Sequence, residues 1–406
     1  MKILFLTDNF PPEMNAPATR TWEHCKEWVN LGVNVTVITC APNFPNGKVF
    51  KGYKNKFLQT EWVDGIKVIR VWTYISENTG FLKRVIDYTS YAIMSFVVGL
   101  WYKCDVIIAT SPQFFTAVSG YALSVFKRKP WVFELRDLWP ESISAVGVVQ
   151  NKKILCFFEK LELFLYKKAN LIVSVTDSFK ANLIDRGICE SKINVIKNGV
   201  DLSVYKPVEK DSDLLEKLQL KNKFVVSYIG THGMAHGLSF ILESIKGLHE
   251  SIHFLFIGGG AHKNKLLDLA KSLDLKNCTF LDFVPKSEIS KYISITDIAL
   301  VNLKKSNTFK SVIPSKIFEN AAMKKPILLG VEGESAQIIT SYQAGECFIP
   351  EDKADFLIAL NKIRNNIDLE SDSYSDGLQN LANDFNRNIL AKKMLKYIKS
   401  IYIPKK

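Results

Sequence analysis

Pro314-Ser315-Lys316-Ile317-Phe318-Glu319-Asn320-Ala321-Ala322-Met323-Lys324-Lys325-Pro326-Ile327-Leu328-Leu329-Gly330 is the stretch from which the rest of the chain can be read. Ser315 is an N-cap residue type, Pro314 suits a helix entrance, Lys324 and Lys325 fall in the last turn, and Pro326 stops the helix; the pattern predicts a helix over 315–325. The apolar run at 327–329 then reads as a short buried strand. Glu319 stands one turn into that helix. The free amides at a helix entrance suit a phosphate, and a carboxylate nearby can accept two hydrogen bonds from a vicinal diol such as a ribose. The segment reads as a nucleotide site; an ordinary helix and strand with a solvated Glu319 is the other reading of the same residues.

Working outward, apolar runs alternate with helical stretches along the whole chain. Strands are predicted at 3–6, 35–39, 68–71, 106–109, 131–134, 171–175 and 194–196, and again at 224–229, 254–257, 279–283, 298–301, 327–329 and 346–349. Short apolar strands alternating with helices imply parallel sheets covered on both faces, and these are too many for one doubly wound sheet. A break is predicted at 198–207, where Asn198-Gly199 gives a turn signal and the extended stretch ends in Pro207. The chain is expected to be α/β, with domains at 1–200 and 201–385 and a final helix in 386–406.

Composition narrows the classes. At 406 residues, with 47% hydrophobic and 23% charged, the chain has room for two cores and is neither disordered nor fibrous. Seven scattered cysteines form no Cys-x-x-Cys pair, so buried thiols in a reducing compartment are expected rather than disulfides or zinc. The net charge of +12 favours an anionic partner. Basic residues are dispersed and aromatics do not form stacking platforms, which argues against nucleic acid. Two stretches draw attention to a membrane surface. Residues 88–102 are apolar and aromatic, flanked by Lys83, Arg84 and Lys103; residues 152–168 set aromatics between lysine pairs. Both are too short to span a bilayer, so each is either a core helix or an interfacial one.

The pattern Pro314-Ser315-Lys316-x-x-Glu319, followed by small residues, Lys-Pro and an apolar strand, resembles the donor-site segment of family 4 glycosyltransferases. Asn198-Gly199-Val200-Asp201 resembles the interdomain passage of the same family. The likeness implies the GT-B fold, two Rossmann-like domains facing across a cleft, with the last helix returning to the first domain. It assigns Glu319 to the donor ribose. Many members carry a second glutamate where this chain has Ser311.

Further positions follow the family. Tyr228-Ile229-Gly230-Thr231-His232-Gly233 resembles the diphosphate loop, where glycines let main-chain amides reach the ligand. Commoner members have an Arg and a Lys there, and Lys316, Lys304 or Arg20 could supply the charge instead. Ser315 and Lys316 are assigned to the donor phosphate, and Asp282-Phe283 to the nucleobase edge. His232 and His236, four apart, have a spacing known from metal sites, but the flanking glycines argue against the helix it needs. No metal or cofactor is expected.

In the first half, Asn15-Ala16-Pro17-Ala18 stands where most members have Gly-Gly, so Asn15 and Ala16 are candidates for the acceptor or a phosphate, and Arg20 either holds an acceptor or donor phosphate or is a helix-surface arginine. Arg136-Asp137 replaces a common His-Asp at a strand end, where Arg136 is expected as a fixed cation near phosphate or carboxylate and Asp137 either orients an acceptor hydroxyl or pairs with Arg136. The Pro-Pro-Glu and Ala-Pro-Ala-Thr-Arg patterns resemble the N-acetylfucosamine transferases of bacterial O-antigen and capsule synthesis. That subgroup implies retaining transfer from a UDP-sugar to a saccharide on a polyprenyl diphosphate, by a peripheral protein at the anionic inner face of the inner membrane. A nucleotide-sugar 2-epimerase of GT-B fold and a non-catalytic GT-B scaffold remain as alternatives.

Overall fold

The computed structural model describes residues 1–402 except 45, 77–80, 112, 139–151 and 369–372. The chain divides into two compact units. One is Met1–Lys197 with Arg387–Lys406, the other Asn198–Asn386.

The first unit is built on eight strands among the described residues: β1 (Lys2–Leu6), β2 (Asn34–Cys40), β3 (Leu58–Val63), β4 (Ile66–Val71), β5 (Val106–Thr110), β6 (Trp131–Leu135), β7 (Leu171–Ser174) and β8 (Ile193–Val195). Their spatial order is β3-β4-β2-β1-β5-β6-β7-β8. All neighbours are parallel except β3 and β4. The two-residue period of a strand sorts the core. Ile3 and Phe5 enter a cluster with Trp28 and Met394, while Leu4 and Leu6 enter another with Tyr91 and Leu123. Helices Ala16–Asn30 and Arg387–Ser400 pack together on the first side, where Trp28 Nε1 donates to the Ala391 carbonyl at 2.8 Å. Helices Phe81–Gly99, Phe114–Lys127 and Lys152–Lys168 cover the other.

Strand β3 was not expected from the sequence. Gln59, Thr60 and Glu61 give it no apolar run, because an antiparallel edge strand need not be buried on both faces. Its partner register, Leu58↔Val71 to Val63↔Ile66, closes through Asp64-Gly65, whose φ angles of 47° and 75° are those of a primed hairpin turn.

The second unit has six parallel strands among the described residues: β9 (Phe224–Ile229), β10 (Ile252–Ile257), β11 (Cys278–Leu281), β12 (Ile298–Asn302), β13 (Ile327–Gly330) and β14 (Gly345–Cys347). The order is β11-β10-β9-β12-β13-β14. Strand order reverses between β9 and β12, so the loops after these strands border the crevice in which such sheets bind ligands.

The helix of the opening stretch is shorter than expected. It runs Lys316–Ala322, and Ser315 has helical backbone angles and makes no side-chain cap. The turn begins one residue earlier, with Ile317 N donating to the Pro314 carbonyl at 3.2 Å, so Ser315 does not take the extended conformation a cap needs. At the other end Lys324 adopts φ +53°, Lys325 N reaches the Asn320 carbonyl, and Lys324 N reaches that of Ala321. This Schellman closure ends the helix before Pro326 and leaves both lysines outside it.

Candidate functional site

Each unit carries a cluster at the carboxyl edge of its sheet. In the second unit the chain leaves β9 through Gly230, whose φ of +149° lies where only glycine is unstrained. A Cβ there would stand 2.7 Å from Lys316 Nζ. The ammonium instead fills that space, 3.8 Å from the centroid of the Tyr228 ring. Tyr228 is held by its own hydroxyl, which donates to the Thr231 carbonyl at 2.8 Å. Lys316 thus gains a cation–π contact at the cost of hydration, and burial lowers its pKa to about 7 while Glu319 pulls it upward. A half-desolvated ammonium beside a strand-end glycine is a ready partner for an anion.

The neighbouring loop after β10 closes against this one. Gly258 lets the backbones meet, since a Cβ would fall 2.0 Å from the Gly230 carbonyl oxygen. His232 N donates to the Gly259 carbonyl and His262 N to that of His232. Lys263 Nζ ties the edge by donating to the Gly258 and Leu281 carbonyls and to Asp282 Oδ1. Above it the Phe283 ring is 65% exposed, its Cε2 2.8 Å from where a Gly259 Cβ would lie. It is a flat apolar surface of the size of a nucleobase.

The remaining donor candidates are distributed around these two loops. Thr231 is exposed and Gly233 opens a 3₁₀ turn, Met234–His236, ahead of the helix Leu238–Ile245. His232 is buried with its ring 5.9 Å from Tyr228 and 6.0 Å from Phe280, and His236 stands 5.9 Å from Tyr228 on another side. The two histidines pack on one tyrosine rather than sharing a helix face. Burial lowers them to about 4 and about 3, so both are neutral. Among the described residues no group of three or more His, Cys, Asp or Glu could hold a metal ion. Glu319 lies in the first turn of Lys316–Ala322, and Ser311 closes a turn through its hydroxyl to the Thr308 carbonyl at 3.0 Å. Lys304 is exposed, its amide donating to the Ala235 carbonyl.

In the first unit the expected phosphate ligand Arg20 is a structural residue. Its side chain is 1% exposed; Nε donates to Glu134 Oε1 at 2.9 Å, Nη1 to the Lys197 carbonyl and Nη2 to that of Ile196. Arg20 therefore ties the helix Ala16–Asn30 to β6 and to the residues after β8. Burial pushes the Glu134 carboxyl upward, but Arg20 and Arg136 more than offset this and hold it below the usual range. Asn15 caps the same helix, Oδ1 accepting from Ala18 N at 2.9 Å, while its Nδ2 donates to Asn9 Oδ1; Ala16 beside it is exposed. Arg136, by contrast, remains partly exposed. Its amide donates to Ser111 Oγ and its Nη1 to the Pro17 carbonyl, and burial lowers it to about 9 against the pull of Glu134. Asp137 follows, also partly exposed, and residues 139–142 of the same motif lie outside the described residues.

One cluster was missed. Asp8, directly after β1, accepts a hydrogen bond from Gln113 Nε2, and its carbonyl accepts from Thr39 Oγ1 and Cys40 Sγ. Burial raises its pKa well above the carboxylate range, and nearby Asp87 and Glu13 raise it further. Asp87 is itself raised to about 7 by burial, against the lowering by Arg84. The available signal was an acid two residues past the apolar run 3–6, at the point between β1 and β5 where strand order reverses.

Residues 18–204 match the family described as Glycosyltransferase Family 4, and residues 211–375 match Glycosyl transferases group 1. WcaI of Escherichia coli (strain K12), which carries a provisional name as a colanic acid biosynthesis glycosyl transferase, is 23% identical over 375 residues, covering 88% of this chain and 91% of its own. Sucrose-phosphate synthase from Thermosynechococcus elongatus superposes with a TM-score of 0.79 at 14% identity, over 99% of each chain. HepE of Anabaena, solved with UDP and glucose, superposes with a TM-score of 0.75 at 18% identity, over 98% of this chain and 100% of its own. Two doubly wound units, each matched by its own half of a glycosyltransferase, make this chain a GT-B glycosyltransferase of the family 4 and group 1 type.

Proposed function

We propose that the protein transfers a sugar from a UDP-sugar to a saccharide carried on a polyprenyl diphosphate, with retention at the anomeric carbon, during synthesis of a bacterial surface polysaccharide. The observation that carries the donor half is the Lys316 ammonium held over Tyr228 beside Gly230. In this reading it does the work of the Arg and Lys that commoner members carry, and it meets the charge that grows on the diphosphate as it leaves. The acceptor oxygen bonds to the anomeric carbon while the bond to the diphosphate breaks, and the acceptor proton passes to the departing phosphate on the same face. Glu319 holds the ribose and Phe283 the base. Arg136 and Asp137 stand at the acceptor side, with Arg136 as the fixed cation. UDP is supported by its presence in the HepE structure, and a surface polysaccharide by the name of WcaI. An N-acetylfucosamine or related amino sugar is the cargo suggested by the Ala-Pro-Ala-Thr-Arg segment. The place of work is the cytoplasmic face of the inner membrane, where the protein is peripheral.

Calorimetry with UDP, GDP and dTDP, in buffer containing EDTA, tests the donor and the independence from metal. Mass spectrometry and anomeric NMR on lipid-linked products test acceptor and stereochemistry. Selective binding of UDP, lost in Glu319→Ala, is the expected result; equal binding of all three nucleotides overturns the donor assignment.

A further inference from the structure

The two apolar stretches that the sequence left between core and membrane lie on either side of a third helix. Phe81–Gly99, Phe114–Lys127 and Lys152–Lys168 cover one side of the first sheet, and their inner residues fill its core. Their outer sides are not polar. Trp101 is 60% exposed, Phe126 69%, Phe157 63% and Ile93 57%. Aromatic rings touch from helix to helix: Phe96 meets Phe126 at 5.3 Å, Phe115 meets Phe158 at 6.0 Å, and Tyr121 meets Phe164 at 5.2 Å. Phe126, and Phe157 through its contact with Phe158 at 5.6 Å, therefore belong to an aromatic layer, unlike the singly scattered apolar residues of an ordinary surface.

Positive charge predominates on this face. The middle helix contains no acidic residue, and residues 88–104 contain none. On the third helix Glu162 and Glu159 are both drawn to Arg186, at 2.9 and 3.7 Å. Lys103, Arg128, Lys160 and Lys167 are exposed and have no acidic partner among the described residues. No helix among them is long and apolar enough to cross a membrane.

We propose that this three-helix face is a docking surface for an anionic lipid bilayer. Trp101, Phe126 and Phe157 enter the headgroup region, and Lys103, Arg128 and Lys160 meet lipid phosphates. A second copy of the chain is the poorer occupant, because apposing two such faces sets the same unpaired cations against each other. The inference deepens the lipid-linked reading above, since a protein lying on the bilayer meets an acceptor whose diphosphate is anchored there. It stands on different residues from the donor site.

Vesicle flotation tests it, using phosphatidylcholine vesicles with and without phosphatidylglycerol, at low and high salt. The full-length protein is expected to float with the phosphatidylglycerol vesicles at low salt and to be released by salt. Lys103→Glu with Lys160→Glu should weaken binding by more than the roughly fivefold per lysine expected from loss of charge alone, because each change also adds a repulsive charge. Trp101→Ser with Phe126→Ser should weaken binding to the phosphatidylglycerol vesicles at low salt, although it leaves the charge unchanged. UDP affinity, measured without lipid, should be unchanged in both pairs; this separates failure of the docking face from failure of the donor assignment. The exposed lysine pair also serves where the aromatic pair impairs folding. Wild-type protein that stays with the soluble fraction at low salt, variants that float as wild type does, or light scattering showing a dimer that the Phe126 change dissociates would each overturn the proposal.

Discussion

The two units share the strand order of a six-stranded doubly wound core and differ in what they place at the carboxyl edge of the sheet. In the second unit the edge is lined with glycine, and one of its cations, Lys316, is met by an aromatic ring. In the first unit the edge is filled. Arg20 is consumed by Glu134 and two carbonyls, and Asp8 and Asp87 are pushed toward the protonated form. The same fold thus gives one edge suited to a strong anion and another lined by acids that can donate as well as accept hydrogen bonds, as a sugar hydroxyl requires.

The largest expected effect is on the filled edge. Arg20→Ala leaves Glu134 buried without its main cation and should cost about 3–5 kcal/mol of stability in the first unit, read as a lower midpoint in urea unfolding. If instead stability holds and only transfer to the acceptor is lost, Arg20 is a ligand and the contrast fails. Next comes the open edge. Lys316→Ala should lower kcat about 10²–10³-fold while leaving the melting temperature close to wild type. A comparable loss of stability would make Lys316 part of the core.

A pH series sharpens the same point. Lys316 has a pKa of about 7 in the free protein, so above that value donor binding must take up a proton. UDP affinity should fall roughly tenfold per pH unit above neutrality, and stop falling once the pKa of the complex is reached. His232 and His236, at about 4 and about 3, do not titrate in this window, and Lys316→Ala should flatten the profile. The smallest effect is at Asp87. Its pKa is raised from its ordinary value to about 7, so the folded protein holds more protons than the unfolded chain between those values, and stability falls as pH rises through them. Asp87→Asn should flatten that decline, as seen in melting temperatures from pH 4 to 8 (about the interval over which this carboxyl titrates).

The parallel strands were legible because burial on both faces leaves continuous apolar runs such as residues 298–301. Strand β3 lacked that signature, although Asp64-Gly65 before β4 was a hairpin signal in plain view. The donor segment was legible as a unit but not in its ends. A Schellman closure at Lys324 uses a lysine where glycine is the usual sign. Arg20 could not have been placed, since its partners lie 114 to 177 residues along the chain. Nor could the outer face of the Phe114–Lys127 helix, because a helix apolar all round reads as fully buried until its position in the layer is known.

The helix Arg387–Ser400, whose Ala391 carbonyl receives the Trp28 indole, has a consequence for the order in which the protein is made. The first unit begins at Met1 and is completed only by residues that follow all of Asn198–Asn386. During synthesis the second unit can close as soon as it emerges, while the earlier-made one waits with Trp28 and its neighbours uncovered. The half made first is the half finished last.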